Sequence, residues 1–252
     1  MMRFFYIETD PVHEEWVSSE DFGINISGTN VFSAPARDYT MQPVPGRSGE
    51  LAIDNGRYNN IDLVYPCTIT GLKSVVPGIF DTKIRNFKDA LHEIKGYFRL
   101  SDDYYPDEFR YAIFRDALNV SPTEDLNAAT FDAVFNCKPQ RYRRNSFIWQ
   151  TMISGSSTLV NSTSFPARPL IRATGVGTLT IGNYTIIVTS DGGNPYTEID
   201  CDIMECYYGT QNRNAFVQLS SDDFPVLEGH KSYGVTFSGF SDVKIKPRWW
   251  YL

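Results

Sequence analysis

Few residues in this sequence have the type and spacing of metal ligands. Cys201 and Cys206 have four residues between them in the run CDIMEC. A zinc site would need two further ligands at compatible spacing, and the histidines His13, His92 and His230 are isolated from one another. We therefore expect no metal site and no cofactor, and we interpret all four cysteines as reduced core or strand residues.

The acidic pairs Asp102-Asp103 and Asp222-Asp223 are candidates for general acid and base chemistry. Both pairs lie among Ser, Tyr and Pro in turn-like surroundings, where a solvated loop or a capping side chain explains them. The sequence offers no nucleophile elbow and no paired metal histidines, and the run GVGTLTIG lacks the spacing of a dinucleotide-binding loop. We therefore predict that the protein is not an enzyme.

One basic cluster, KPQRYRR at residues 138–144, has the composition of a nucleic-acid contact. The whole chain, however, has 30 acidic and 23 basic residues and a formal net charge of −7. This balance disfavours a protein that holds nucleic acid by its phosphates. We interpret the cluster as a solvated linker or an interface strip, with a nucleic-acid contact as the alternative.

Length and composition indicate a folded protein with two domains. The chain has 252 residues, 42% of them hydrophobic and 14% aromatic, which is ample for two packed cores rich in strands. No run approaches 18 apolar residues, and the first 20 residues include Glu8, Asp10, Glu14 and Glu15. We therefore expect neither a membrane span nor a secretory signal peptide.

The elements that would position any functional residue are organised around VPGRSGELAIDNGRYNN, residues 44–60. Pro45-Gly46 is a turn dipeptide, and Asn55-Gly56 is a strong hairpin signal. Apolar residues alternate along the stretch between these two signals. The segment therefore predicts a loop, a short strand and a tight turn that leads into the next strand, residues 61–70.

The strand over residues 61–70 has a clear two-residue period. Its apolar face comprises Ile61, Leu63, Tyr65, Cys67 and Ile69. Because proline has no backbone N–H, its presence at position 66 predicts an edge strand or a bulge. A sheet edge that its own domain leaves unpaired is suited to contact another subunit.

The Gly-rich loop around Arg47 also allows a phosphate-binding interpretation. Phosphate-binding loops open a helix, whereas this loop runs into strands, so we favour a rigid hairpin that contacts another subunit. Arg47, Leu51 and Tyr58 are the residues that we expect at or near this subunit interface. Arg47 would act as a charge-assisted hydrogen-bond donor, and the other two as packing contacts.

Residues 81–96 predict the one amphipathic helix, with its apolar face formed by Ile84, Phe87, Leu91 and Ile94. Asp81 or Thr82 is suited to cap its first turn. Runs rich in aromatic residues on both sides of the helix predict strands, and the last of them, TFDAVFNCKPQ, closes the first domain. We place the domains at residues 1–140 and 141–252.

The second domain shows no helical periodicity and instead alternates short apolar runs with turns. The runs are SFIWQTM, PLIRA, GTLTIG, YTIIVTS, TEIDCDIMECYY, NAFVQLS, KSYGVTFSG and DVKIKPRWWYL. Short strands at this regular spacing predict a β-sandwich. The fold class is therefore mainly β, of the α+β type.

Three segments resemble the distal tail proteins, often called Dit, of long-tailed (siphovirus-type) phages of Gram-positive bacteria. These segments are residues 44–60 with the Gly-Arg-x-Gly-x-Leu pattern, residues 131–142 with a strand ending in Cys-Lys-Pro, and residues 199–252 with the Pro-Arg-Trp-Trp ending. Within this family, we expect the lactococcal baseplate type. The resemblance implies an N-terminal ring-forming belt domain with an extended hairpin and a C-terminal galectin-like sandwich that acts as a docking domain.

The resemblance also implies a function and a set of partners. It implies a structural, homohexameric hub ring at the distal end of the phage tail, within the virion, and leaves single and stacked rings open. Its partners would be the major tail or tube protein, the tail-tip (tail-associated lysin-like) protein and the baseplate or receptor-binding proteins. Phage DNA would only pass through the channel of the ring, and no membrane insertion is expected.

A carbohydrate-binding sandwich that acts in host-surface adhesion is the alternative function. Such a site needs an exposed aromatic platform beside planar polar groups, and Trp249 and Trp250 with Arg248 have this composition. Adjacent strand residues point to opposite faces, however, so at most one of the two tryptophans packs inward. We favour an anchoring role for this last strand.

Overall fold

The computed structural model describes residues 2–10, 15–28, 33–70, 79–122, 128–220 and 223–252. The chain divides into two compact units, residues 1–141 with Leu252 and residues 142–251. Strands dominate both units, which confirms the mainly β class. The described part contains no helix that is long and apolar enough to cross a membrane.

Unit 1 is a β-sheet structure with one α-helix among its described residues. Its elements are β1 (Phe5–Asp10), β2 (Glu15–Ser18), β3 (Ile24–Ile26), β4 (Arg37–Pro43), β5 (Glu50–Tyr58), β6 (Ile61–Thr70), α1 (Ile79–Glu93), β7 (Phe98–Asp102), β8 (Glu108–Ile113), β9 (Ser121–Pro122) and β10 (Ala128–Arg143), with a 3-10 turn at Ser19–Phe22.

The main sheet of unit 1 follows the order β2-β1-β7-β8-β10-β6-β3. An antiparallel bridge between Arg3 and Ile26 joins the chain just before β1 to β3, and the Ile26 N–H donates to the Arg3 carbonyl over 2.8 Å. The sheet therefore curls so that the segment before β1 meets β3, the strand at the other end of the sheet. Its inner face and helix α1 enclose one hydrophobic core.

The predicted apolar faces form this core. Ile84, Phe87 and Leu91 of α1 are buried, and the Phe87 ring lies 6.1 Å from that of Phe5 and 5.8 Å from that of Phe131. The helix begins at Ile79, so the predicted caps Asp81 and Thr82 lie within the helix and not before it.

Strand β6 has the predicted alternation, but Pro66 does not mark a whole edge strand. β6 pairs with β10 along its full length, and β3 pairs with its other side over residues 67–69. The Pro66 carbonyl accepts the N–H of Ser27 over 2.7 Å, one residue beyond the end of β3. Pro66 therefore lies at the point where the pairing between β3 and β6 ends. The backbone hydrogen bond that Pro66 cannot donate is not needed there.

The Asn55-Gly56 dipeptide is not the turn that the sequence predicts. β5 runs through it and pairs with β4, and the register shifts there, from Tyr58 opposite Arg37 to Asp54 opposite Tyr39. Gly56 has a φ of +71° and its N–H donates to Asp54 Oδ1 over 2.9 Å. The dipeptide forms a bulge within β5, because a bulge needs the same positive φ as a tight turn.

Unit 2 is a sandwich of two antiparallel sheets. Its strands are β11 (Gln150–Thr151), β12 (Thr158–Asn161), β13 (Leu170–Thr174), β14 (Gly177–Ile181), β15 (Tyr184–Val188), β16 (Thr197–Asp200), β17 (Glu205–Tyr208), β18 (Gln211–Asn212), β19 (Val217–Leu219), β20 (Lys231–Ser238) and β21 (Asp242–Lys246), with 3-10 turns at Arg144–Phe147 and Asn214–Phe216. A short last strand, β22 (Trp250–Tyr251), belongs to neither of these two sheets. One sheet has the order β11-β21-β13-β16-β17-β18 and the other β12-β20-β14-β15-β19. A continuous apolar core lies in unit 2, and it contains both Cys201 and Cys206 as free thiols.

Two of the predicted strands in unit 2 are interrupted. TEIDCDIMECYY forms β16 and β17 joined by a turn, in which Met204 has a φ of +57° and the Asp202 N–H bonds to Asp200 Oδ1 over 3.0 Å. DVKIKPRWWYL breaks after Lys246, and Arg248 has a φ of +59°. In the first case the Asp200 side chain stabilises a local turn, and in both cases a residue with positive φ interrupts an apolar run, which periodicity does not reveal.

Candidate assembly interface

Strands β4 and β5 form a separate two-stranded hairpin in which all side chains from Arg37 to Arg57 are exposed except that of Asp38. Isolated two-stranded hairpins are at best marginally stable in water. This hairpin nevertheless carries five large apolar side chains that are 37–54% exposed: Tyr39, Met41, Val44, Leu51 and Ile53. A surface of this kind is typical of a protein-binding site.

The strand register distributes these apolar side chains over both faces of the hairpin. Residues directly opposite in an antiparallel pair point to the same face. Met41 lies opposite Ala52, whereas Gln42 lies opposite Leu51 and Thr40 opposite Ile53. Tyr39 and Met41 therefore share one face, and Leu51 and Ile53 share the other.

Charged side chains hold the two strands together at their base. Arg37 donates from Nε and Nη2 to Asp54 Oδ2 over 2.9 and 2.5 Å, and Arg57 donates from Nε to Asp38 Oδ2 over 2.6 Å. The hydrogen bonds from Arg37 and from the Gly56 N–H lower the pKa of Asp54. Those from Arg57 and Asn55 lower the pKa of Asp38. Both carboxylates therefore remain ionised at pH values below their usual titration range. The two Arg–Asp ion pairs at the base of the hairpin thus persist in mild acid.

The tip of the hairpin is a defined turn. The Arg47 N–H donates to the Val44 carbonyl over 3.2 Å, and Gly46 has a φ of +77°. Proline at the second position and a positive φ at the third are the signature of a type II turn. The Pro45-Gly46 dipeptide thus forms the turn that the sequence predicts there.

The three predicted interface residues all lie on this hairpin, but they do not form one cluster. Arg47 lies in the tip, Leu51 lies near it, and Tyr58 lies at the base, where its hydroxyl accepts from Arg37 Nη1 over 3.1 Å. Tyr58 lies seven positions after Leu51, which corresponds to roughly 23 Å along a strand. Tyr39 and Met41 also lie on this hairpin and are not among the predicted interface residues, although their alternation in RDYTMQP was a signal for a strand.

The other candidate residues have structural roles. Asp102 Oδ2 accepts from the buried Tyr65 hydroxyl over 2.6 Å, and its Oδ1 accepts the N–H groups of Tyr104 and Tyr105. Asp103 accepts from the Phe4 N–H over 2.8 Å. These contacts stabilise turns and the core, and Asp222 lies outside the described residues. Within the described ranges, no group of three or more His, Cys, Asp or Glu side chains is arranged to hold a metal ion.

Part of the basic cluster is also occupied within the protein. The Lys138 ammonium lies 4.9 Å from the centroid of the Tyr97 ring, and the Arg141 guanidinium lies 4.3 Å from that of Tyr105. Arg141 also forms an ion pair with Glu108 at 3.4 Å. Side chains engaged in this way are not a row of free donors for phosphate groups.

The tryptophans of the last segment do not form an open platform. Trp249 is buried, and the Trp250 ring stacks on that of Phe165 at 4.4 Å while its Nε1 donates to the Pro166 carbonyl over 2.8 Å. Arg248 donates to both carboxylate oxygens of Asp200, over 2.6 and 2.9 Å. The three side chains anchor the segment, which is the role that the sequence favours.

Comparison with known proteins gives a structural match but no sequence match. No protein-family model matches the chain, and no curated protein matches it by sequence. The structure of the Dit (gp 19.1) protein of phage SPP1, described as a paradigm of the hub adsorption apparatus of phages that infect Gram-positive bacteria, matches with a TM-score of 0.69 over 100% of both chains, at 10% identity. The chain has the fold of a Dit protein.

A second solved structure supports the same assignment of the fold. A chain of the phage p2 baseplate, in its activated conformation with Sr, matches with a TM-score of 0.54 over 96% of both chains, at 9% identity. The Dit-like fold extends over both units, because the first match covers the entire chain. These matches confirm the resemblance to the distal tail proteins at the level of the fold.

Proposed function

We propose that this chain is a structural distal tail protein of a long-tailed phage of a Gram-positive host, located at the distal end of the tail. It forms a hexameric hub ring that joins the tail tube to the tail tip and the baseplate. The observation that carries this proposal is the exposed hairpin of a chain that has the Dit fold throughout. A hairpin whose large apolar side chains are exposed to solvent in the single subunit fits a chain that functions only in an assembly.

Ring formation resides in unit 1 and uses the hairpin. Each copy offers β4 and β5 to the next copy, where the apolar side chains become buried. Such a contact is head-to-tail, and head-to-tail contacts close into a ring when the rotation between copies allows it. Arg47 and Leu51 near the tip contact the neighbouring copy, and Tyr58 supports the base through its bond with Arg37.

Unit 2 acts as the docking domain. Its two sheets enclose a complete apolar core, so it requires no second copy to fold. It binds baseplate or receptor-binding proteins, while the ring contacts the tube protein and the tail-tip protein. DNA passes through the channel without binding, because a formal charge of −7 per subunit opposes contact with phosphates.

The proposed role is non-enzymatic, and host adhesion belongs to partner proteins. The candidate sugar platform is the main alternative, and its parts are engaged elsewhere: Trp250 stacks on Phe165 and Arg248 pairs with Asp200. Micromolar binding of host cell-wall saccharides by the purified protein, measured by calorimetry, would instead favour the carbohydrate-binding alternative.

Size exclusion coupled to light scattering tests the proposal. The full chain is expected to elute as a hexamer, residues 1–140 to assemble, and residues 146–252 to remain monomeric. A monomeric full chain, or assembly by residues 146–252 alone, would contradict the proposal. Arg47→Glu is expected to weaken the ring, and an intact ring would exclude this residue from the interface.

A further inference from the structure

The direction in which the hairpin projects is set at its base. β4 and β5 pair only with each other among the described strands and form a two-stranded sheet of their own. β5 has nine residues, which correspond to about 30 Å, so a tilt of about 10° at the base displaces the tip by about 5 Å. A hairpin that must meet a neighbouring subunit therefore needs a fixed base.

Asn60 occupies this base, between the end of β5 and the start of β6. Its Nδ2 donates to Tyr97 Oη over 3.0 Å and to Asn136 Oδ1 over 2.8 Å. Tyr97 follows helix α1, and Asn136 lies in β10 of the main sheet. One amide group thus ties the hairpin to two separate elements of unit 1.

The direction of these hydrogen bonds is fixed by Asp62. Asn136 Nδ2 donates to Asp62 Oδ1 over 2.7 Å, and the two residues are directly opposite in β10 and β6. A carboxylate only accepts hydrogen bonds, so Asn136 must turn its amide nitrogen toward Asp62 and its oxygen toward Asn60. Position 60 therefore requires a donor.

We propose that Asn60 is the positioning residue that orients the hairpin for assembly; this inference rests on the proposed role of the hairpin in ring formation. The residue does not itself need to contact the neighbouring subunit. The network of Asn60, Tyr97, Asn136 and Asp62 holds the base, and the Lys138 ammonium, 4.9 Å from the Tyr97 ring centroid, restrains that ring. The apolar side chains near the tip then reach the neighbouring copy at the correct angle.

Asn60→Ala in the full-length protein separates this role from a purely structural one. The network is solvent-exposed, so the midpoint of thermal unfolding should stay within about 2 °C of that of the wild type, as for other surface changes. The protein concentration at which half of the subunits are assembled should rise about tenfold. Gln218→Ala removes an exposed amide from β19 and should change neither value. Wild-type assembly by Asn60→Ala would overturn the inference.

A distance measurement reports the orientation directly. Spin labels at Ser48→Cys in the tip and Asn86→Cys in α1 should give a narrow distance distribution, which Asn60→Ala broadens. The four native cysteines are buried, so they do not compete for the label in the folded protein. An unchanged distribution would overturn the inference. This measurement remains decisive if the wild type is monomeric, a result that would refute only the proposed function.

Reversing the hydrogen bonds provides the most specific test. Asn60→Asp alone removes the donor and should weaken assembly at least as much as Asn60→Ala. In the double variant Asn60→Asp/Asp62→Asn, the Asn136 amide can turn over. Its nitrogen then donates to the new carboxylate at position 60 and its oxygen accepts from the new amide at position 62, with the net charge restored. Assembly should recover at least half of the loss. The proposed network would be contradicted if the double variant lost as much assembly as Asn60→Asp and Asp62→Asn lose in sum when each is made alone.

Discussion

Replacing Leu51 by serine removes an apolar side chain that is 54% exposed in the subunit. Burying a whole leucine side chain is worth about 1.5–3 kcal/mol, so burying the remaining half in the ring contributes about 0.8–1.6 kcal/mol per interface. The association constant at each interface should fall roughly 4- to 15-fold. Because the side chain already faces water in the subunit, the free energy of unfolding of unit 1 should hardly change.

A dilution series analysed by mass photometry measures this effect. The matched control is Val160→Ser, because Val160 is 55% exposed on β12 of unit 2. Leu51→Ser should dissociate at higher protein concentration than the wild type, and Val160→Ser should not. Equal dissociation of both variants, or wild-type behaviour of Leu51→Ser, would refute the assignment of the hairpin as the interface.

Three further predictions concern stability. Arg248→Leu leaves the buried Asp200 carboxylate without its bidentate partner and should lower the free energy of unfolding of unit 2 by about 3–5 kcal/mol in urea denaturation. Gly192→Ala should cost more than about 1 kcal/mol in the same assay, because Gly192 has a φ of +58°, which strains any residue with a Cβ, and that Cβ would also displace the Arg213 guanidinium; a neutral result would contradict this conformation. Burial raises the pKa of three thiols from 9.0 to about 12: Cys67, Cys137 and Cys206. A thiol reagent at pH 8 should therefore label these cysteines only after unfolding, and the stabilisation from the neutral thiols, complete below about pH 9, should decline as the pH rises toward 12.

The sequence was sufficient to predict a helix or strand where one face of that element is buried in a core. Ile84, Phe87 and Leu91 recur at helical spacing because α1 covers a core, and the alternation in β6 has the same cause with a two-residue period. The strand-rich second half likewise predicts the sandwich, because each short apolar run faces the core between turns. In these elements the local pattern and the tertiary environment agree.

Local signals failed where two structures satisfy the same preference. Asn55-Gly56 provides a positive φ that suits both a hairpin turn and a bulge, and only pairing with β4 selects the bulge. Pro66 indicates a missing donor but not how far the neighbouring strand extends beside it. Cross-strand register is set by residues distant in sequence, which a local pattern cannot show.

The candidate site was located by its turn chemistry and not by its exposure. The pattern around residues 44–60 identified the hairpin, and with it Arg47 and Leu51. The alternation of Tyr39 and Met41 looks the same whether these side chains face a core or water. Their exposure, 48% and 53%, became visible only in the structure, and it is what makes the hairpin a candidate interface.

Negative-stain electron microscopy of the purified full-length protein tests the central claim most directly. The proposed hub predicts particles of one kind, rings with six-fold symmetry and a central opening, and a particle mass six times that of the 28.6 kDa subunit. A uniform field of single subunits, at protein concentrations well above those at which the hairpin interface should assemble, would contradict it.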